Sequence, residues 1–149
     1  MNNRFIVMVE DNPDDAELIS TSLQSSHLAN QLVWLEDGAQ ALDFFFCRGQ
    51  YCDRNINDYP AVVLLDIMLP KINGMEVLRQ LRADERTRTI PVVILTSSKE
   101  DRDLLKSYNL GCNSYVQKPV IFEDFVSAVR NLGLYWLLLN EPPIPPRAK

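Results

Sequence analysis

Five polar residues stand at the ends of short apolar runs, and their types define the chemistry that the sequence could support. They are Glu10, Asp11, Asp66, Thr96 and Lys118. Three carboxylates brought together would suit a hard divalent cation such as Mg²⁺, which takes a few carboxylates and keeps water. One aspartate could then act as a nucleophile, while the ammonium and hydroxyl groups meet oxygens of an incoming group. This set predicts phosphoryl transfer, in which the protein mainly positions groups and neutralises charge.

Other chemistries fit the same residues less well. A nucleotide or flavin phosphate needs glycines and backbone amides aimed at the anion, whereas the first loop, residues 10–15, has no glycine and is strongly acidic. A phosphatase of the haloacid-dehalogenase type carries a second aspartate two residues after the nucleophile, and here that position is Met68. Asp14 and Asp15 are interpreted as residues of a helix N-terminus, where negative charge is favourable.

The polar residues must be positioned by strands, which the apolar runs predict. Three runs are rich in Val, Ile and Leu and are continuous rather than alternating, as in strands covered on both faces of a parallel sheet. They are Phe5–Val9, Ala61–Leu65 and Val92–Leu95. Weaker strand signals at Leu32–Leu35 and Tyr115–Val116 indicate strands nearer the edges of the sheet.

Helical patterns lie between the predicted strands. Asn12 can cap the first helix with Pro13 in its first turn, and Asn73 begins the third with Glu76 in the capping-box position. The other predicted helices are Gly38–Cys47, with Leu42, Phe45 and Phe46 inward, one that starts at Ser98, and Phe122–Val129. Strand and helix thus alternate five times, which predicts a doubly wound α/β fold. Ligands of such sheets bind beyond the carboxyl ends of the strands, where the five polar residues fall.

Composition narrows the class of protein. The chain has 149 residues, is 46% hydrophobic and 23% charged, and is expected to form one globular domain. Its net charge of -5 argues against binding nucleic acid through a broad basic face. Cys47, Cys52 and Cys112 have no disulfide or zinc spacing, and no signal peptide or membrane span is evident. These features predict a cytoplasmic protein. The single histidine, His27, lies near the end of the first predicted helix and is expected to be a surface residue.

The motifs together resemble those of the CheY-like response-regulator receiver domains of two-component signalling. The segments that carry the resemblance are Val9–Asn12, Leu64–Pro70, Gly74, Leu95–Ser97 and Tyr115–Pro119. They occur in order at the predicted strand ends and cover about residues 4–132. The resemblance implies a flavodoxin-like (βα)5 three-layer sandwich with sheet order 2-1-3-4-5.

The resemblance also implies a role for each site residue. Asp66 would be the phosphoacceptor for a sensor histidine kinase. Asp11 and Asp66 would hold Mg²⁺, with Glu10 acting through water and Met68 through its backbone carbonyl. Glu10 departs from the aspartate often found at its position, and its longer side chain should still reach a water on the metal.

Three further positions would respond to phosphorylation. Thr96 and Lys118 would contact the phosphoryl oxygens, and Tyr115 is similar to the aromatic switch residue that fills the space left by Thr96. Lys118-Pro119 is similar to the cis-proline bond of the family. A second departure is Ile121, which stands where many receivers have a polar helix cap.

A closer resemblance is to the small response regulators of cyanobacterial phytochromes. The long loop Cys47–Pro60 and the apolar segment Leu134–Leu139 carry it. It implies a phytochrome kinase as partner, a receiver over residues 1–139 with an extended last helix, a Pro-rich tail over 140–149 and no attached output domain. A homodimer or kinase interface is expected at Tyr135, Trp136, Leu137, Leu138 and Leu139. The alternative that stays open is a degenerate receiver that acts as a docking module without phosphorylation.

Overall fold

The computed structural model describes residues 5–25, 31–96 and 114–117 together with Glu123. The strands are β1 (Phe5–Val9), β2 (Gln31–Leu35), β3 (Val62–Asp66), β4 (Val92–Thr96) and β5 (Ser114–Gln117). The described helices are α1 (Pro13–Ser25), α2 (Gly38–Phe45) and α3 (Gly74–Ala83), with a short 3-10 helix at Gly49–Tyr51. From β1 to β4, strands and helices therefore alternate as the sequence predicts.

All five strands are parallel and pair in the order β2-β1-β3-β4-β5, which confirms the predicted sheet order. One row of paired residues crosses the whole sheet: Leu35, Val9, Leu65, Ile94 and Tyr115. Glu10 and Asp66 each follow this row by one residue. The register therefore brings them to the same edge of the sheet on neighbouring strands.

The central strands of the sheet are buried. All residues of β1 and β3 are buried, and so is β4 from Val92 to Leu95. Strand β2 lies at an edge of the sheet, and only its last residue, Leu35, is fully buried. The continuous apolar runs thus mark the central strands, and the weaker run marks an edge strand, as expected for a parallel sheet covered by helices.

Two helices begin at the predicted cap residues. Asn12 Oδ1 accepts hydrogen bonds from the backbone N–H groups of Asp14 (2.8 Å) and Asp15 (3.2 Å). Asn73 Oδ1 accepts one from the N–H of Glu76 at 3.0 Å. Each cap supplies an acceptor for N–H groups that the first helical turn leaves without an intrahelical partner.

The second helix is shorter than predicted. It ends at Phe45 rather than Cys47, because Cys47 has a φ of 57°, a left-handed conformation that stops the helix. Phe46 is half-buried rather than fully inward, while Phe44 is buried although the sequence did not single it out. The Phe44 ring packs edge-on against Tyr51, with ring centroids 5.2 Å apart, so a residue of the long loop completes this part of the core.

The long loop after α2 is anchored to that helix by Arg54. Its guanidinium lies 3.9 Å from the centroid of the Phe44 ring and donates to the Phe44 carbonyl at 2.8 Å. A second guanidinium N–H donates to the carbonyl of Asp58 at 2.9 Å. A cation over an aromatic face and two charged hydrogen bonds hold the loop in place without a long strand or helix.

Several predictions fall outside the described residues. They concern His27, the helices at Ser98 and Phe122–Val129, Lys118, Pro119, Ile121, the segment Leu134–Leu139 and the Pro-rich tail. Among the helices of the described part, none combines the length and the apolar character needed to cross a bilayer.

Candidate functional site

Glu10 is the first residue after β1 and lies at the carboxyl edge of the sheet. Its backbone N–H donates to the Leu35 carbonyl at 3.0 Å and so continues the pairing with β2. The Glu10 residue is fully buried, and its Oε2 accepts a hydrogen bond from the N–H of Asn12 at 3.1 Å. The turn is therefore closed by the glutamate side chain itself, while Asp11 between these two residues is exposed.

Asp66 is the last residue of β3 and is only 2% exposed. Its Oδ1 accepts a hydrogen bond from the N–H of Met68 at 3.0 Å. The next residue, Ile67, donates its N–H to the Leu95 carbonyl at 3.3 Å. The strand pairing and the turn after it therefore hold this carboxylate in place.

Glu10, Asp11 and Asp66 form one acidic cluster. Each offers a carboxylate oxygen, and these oxygens all lie within 4.8 Å of one another. Two members are buried and Asp11 is exposed, so the cluster opens to solvent on one side. Three carboxylates this close repel one another unless a cation is shared. An all-oxygen, partly solvated donor set of this kind fits Mg²⁺ or Mn²⁺.

The strand register brings the backbone of Thr96 near this cluster, whereas Lys118 lies outside the described residues. Asp66 pairs with Leu95, so Thr96 is one step further along β4, and Thr96 pairs with Gln117, directly before Lys118. The structure describes the backbones of Thr96 and Tyr115, whereas their side chains lie outside its described part. Met68 is described and is 63% exposed beside the cluster.

Two contacts of the site were not predicted from the sequence. The indole Nε1 of Trp34 donates to the main-chain carbonyl of Glu10 at 2.7 Å. Gly74 begins α3 against the backbone of Asp66, where an added Cβ would lie 2.2 Å from the Asp66 carbonyl oxygen. Gly74 is one of the motif residues that resemble receiver domains, but the motif alone does not indicate this close approach to Asp66. Nothing in the local sequence around Trp34 indicates its contact.

A cavity elsewhere on the described surface lacks the features of a phosphoryl-transfer site. It has a volume of about 480 Å³ and is lined by Phe46, Arg48, Arg79, Gln80, Ala83, Asp84 and Arg86. Its one carboxylate, Asp84, is paired with Arg86 at 2.8 Å. The acidic cluster therefore remains the part of the described structure with a nucleophile and a set of metal ligands.

Nearly the whole chain is similar in sequence to known response regulators. The family model described as Response regulator receiver domain matches residues 6–130. The probable methanogenesis regulatory protein FilR2 of Methanothrix harundinacea is 41% identical over 141 residues, which are 95% of this chain and 88% of FilR2. Response regulator Rcp1 of Synechocystis sp. is 34% identical over 134 residues, which are 90% of this chain and 89% of Rcp1.

Solved structures show the same similarity in three dimensions. The bacteriophytochrome response regulator RtBRR aligns with a TM-score of 0.87 and 50% identity, over 96% of this chain and 85% of RtBRR. The Mn²⁺-bound form of response regulator Rcp1 aligns with a TM-score of 0.72 and 33% identity, over 95% of this chain and 99% of that chain. The chain is thus similar to phytochrome response regulators over nearly its whole length.

Proposed function

The chain belongs to the response regulator receiver domain family, and from that premise we propose that it accepts a phosphoryl group on the carboxylate of Asp66. The donor is a phosphohistidine of a sensor histidine kinase. The acidic cluster at the carboxyl edge of the sheet, with Asp66 buried and Asp11 open to solvent, is the observation that carries this proposal.

The reaction is a direct transfer. A carboxylate oxygen of Asp66 forms a bond to phosphorus as the bond from phosphorus to the histidine nitrogen breaks, which yields an aspartyl phosphate. The hydrogen bond from the Met68 N–H and the strand pairing around Ile67 orient the carboxylate before the donor arrives. Water later hydrolyses the aspartyl phosphate and restores the acid.

The cation belongs to the same proposal. Asp11 and Asp66 would hold Mg²⁺ directly, Glu10 through a water and Met68 through its backbone carbonyl. A bound cation neutralises charge on the phosphoryl oxygens and on the clustered carboxylates. Support comes from the donor set of the cluster and from the Mn²⁺-bound form of Rcp1, a protein to which this chain is similar.

Residues further along the edge complete the proposed mechanism. Lys118 and Thr96 contact the phosphoryl oxygens, and Lys118 adds the positive charge that the acidic cluster lacks. Tyr115 changes position with Thr96 when phosphate is bound, and a cis bond before Pro119 turns the loop towards the site. The strand register, which puts Thr96 and Gln117 opposite each other one step beyond Asp66 and Leu95, supports this placement.

The signalling context follows from the relatives. We propose a phytochrome kinase as donor, because RtBRR is named a bacteriophytochrome response regulator and is 50% identical. We place the receiver at residues 1–139 with a tail at 140–149, in the cytoplasm. The output is contact with a protein: the segment Tyr135–Leu139 forms a homodimer or kinase interface. The net charge of -5 disfavours nucleic acid as the partner.

A mass measurement tests the central step. The purified protein is incubated with Mg²⁺ and acetyl phosphate, beside Asp66→Asn and a matched control, Asp14→Asn, which neutralises an exposed acid in the first turn of α1, outside the cluster. We expect one phosphoryl adduct in the parent and in the control and none in Asp66→Asn. An adduct that persists in Asp66→Asn, or no adduct in the parent, would favour the docking module instead.

A further inference from the structure

The edge strand β2 contacts the acidic cluster through the indole of Trp34. Its Nε1–H donates to the Glu10 carbonyl oxygen at 2.7 Å, across 24 positions of sequence. Trp34 pairs with Met8, two residues before Glu10 on β1. Side chains on strands lean along the strand direction, so the long indole reaches the end of the neighbouring strand.

Both polar groups of the Glu10 backbone, the N–H and the carbonyl, are hydrogen-bonded. The N–H continues the sheet pairing to the Leu35 carbonyl at 3.0 Å, and the regular pairing of β1 with β2 ends at Val9 and Leu35. Beyond that point the indole of Trp34 bonds to the carbonyl. This carbonyl belongs to the peptide that joins Glu10 to Asp11, so its orientation restricts the backbone from which both carboxylates extend.

The contact also joins a buried residue to the protein surface. Glu10 is 0% exposed, whereas Trp34 is 40% exposed. A hydrogen bond in partly buried surroundings is stronger than the same bond in water. The Trp34 ring thus lies partly exposed on the edge strand, while its indole N–H donates to the backbone of the site.

We propose that Trp34 is a positioning residue for the cation site: its indole N–H holds the Glu10–Asp11 peptide so that both side chains share a cation with Asp66. This inference rests on the proposed function, which it deepens. Removing the donor leaves every carboxylate present but loosens two of them. The affinity for Mg²⁺ falls by roughly three- to tenfold, the effect of losing one hydrogen bond.

The test compares the full-length parent with Trp34→Phe, which keeps an aromatic ring and removes the N–H donor. Tyr59→Phe is the matched control, because Tyr59 is a similarly exposed aromatic (42%) that also loses one donor. Titration calorimetry with Mg²⁺ gives the affinity, and the Mg²⁺ dependence of acetyl phosphate phosphorylation gives the half-saturating concentration and the maximal rate. We expect weaker Mg²⁺ binding with an unchanged maximal rate in Trp34→Phe, and no change in the control.

A second readout follows the indole N–H itself, first without a cation and then with Mg²⁺. In the metal-free protein the indole N–H of Trp34, assigned with the help of Trp136→Phe, should exchange slowly with solvent and should shift when Mg²⁺ is added. If Trp34→Phe fails to fold, replacement of Trp34 by benzothienylalanine removes the N–H and keeps the ring shape. A lowered melting temperature with unaltered Mg²⁺ affinity in either variant indicates a structural role only and overturns the proposal.

Failure of the inference differs from failure of the proposed function. A parent protein that binds Mg²⁺ and takes a phosphoryl group, with Trp34 variants that bind Mg²⁺ equally well, contradicts the role of Trp34 alone. A parent that binds Mg²⁺ but takes no phosphoryl group contradicts the proposed function, while calorimetry on the variants still decides the role of Trp34. A parent that binds no Mg²⁺ overturns the inference.

Discussion

Gly74 shows how a single atom can matter to the site. Its N–H donates to the Ile67 carbonyl at 3.0 Å, which brings the start of α3 onto the turn after Asp66. An added Cβ would lie 2.2 Å from the Asp66 carbonyl oxygen and 2.8 Å from the Ile67 Cα. Both neighbours are backbone atoms that support the proposed phosphoacceptor, so they cannot give way without moving it.

Gly74→Ala should therefore destabilise the fold, although alanine is the better helix former by about 1 kcal/mol. We expect a loss of about 1–3 kcal/mol in the free energy of unfolding, the range for overpacking, measured by urea denaturation. The rate of phosphorylation by acetyl phosphate should fall as well, because the Asp66 backbone shifts. A rise in stability would show that the helix moves away at little cost.

On the outer face of helix α3, the side chains of Glu76, Arg79 and Gln80 are linked by hydrogen bonds. Glu76 accepts hydrogen bonds from Arg79 Nε at 2.9 Å and from Gln80 Nε2 at 2.8 Å. The hydrogen bond with Arg79, followed by that with Gln80, lowers the pKa of Glu76 from 4.5 to about 2. Its place in the first helical turn is also favourable for a negative charge.

The depressed pKa of Glu76 predicts a dependence of stability on pH. Its contribution is fully present above the unfolded value of about 4.5 and is lost as the pH falls through the folded value of about 2. Glu76→Gln should therefore lose less stability than the parent between pH 5 and 2. Since the Glu76 and Arg79 side chains are 37% and 55% exposed, the difference should stay below about 1 kcal/mol.

Thermal denaturation at several pH values between 2 and 7 measures this effect. Glu17→Gln, which alters an exposed glutamate of α1, serves as the matched control and should follow the acid response of the parent. Equal acid responses for Glu76→Gln and the parent would mean that the ion pair with Arg79 contributes nothing to stability in solution.

At the scale of the whole molecule, the sheet collects negative charge at one edge. Glu10 and Asp66 are buried there on adjacent strands, with Asp11 beside them. Burying like charges is unfavourable unless a cation compensates them. The free energy of folding should therefore depend on divalent cations, which bind the folded arrangement and not the unfolded chain.

Adding Mg²⁺ should raise the melting temperature. At a concentration of about 100 times Kd the gain is about 2.7 kcal/mol, which for a chain of this size is roughly 5–10 °C. Asp11→Asn removes one ligand and should lose most of this gain, whereas Asp14→Asn should keep it. Scanning calorimetry with and without Mg²⁺ measures the shift, and an equal shift in Asp11→Asn would argue against the acidic cluster as the site.

Local signals in the sequence determined much of the fold and the three members of the acidic cluster. The strand Phe5–Val9 agrees with the structure residue for residue, and Asn12 and Asn73 cap their helices as predicted. These features depend on neighbouring residues only, through apolar runs and side chains that reach the next turn. The acidic cluster was predictable because parallel strands end at a common edge.

Only the tertiary structure decided the contacts between distant segments. The bond from Trp34 to Glu10 depends on the register of β2 against β1, and the close approach of Gly74 to Asp66 depends on how α3 packs. The early end of α2 depends on the backbone of Cys47, and the burial of Phe44 on the loop that carries Tyr51 and Arg54. Such contacts join residues far apart in the chain, so no local periodicity or capping rule can specify them.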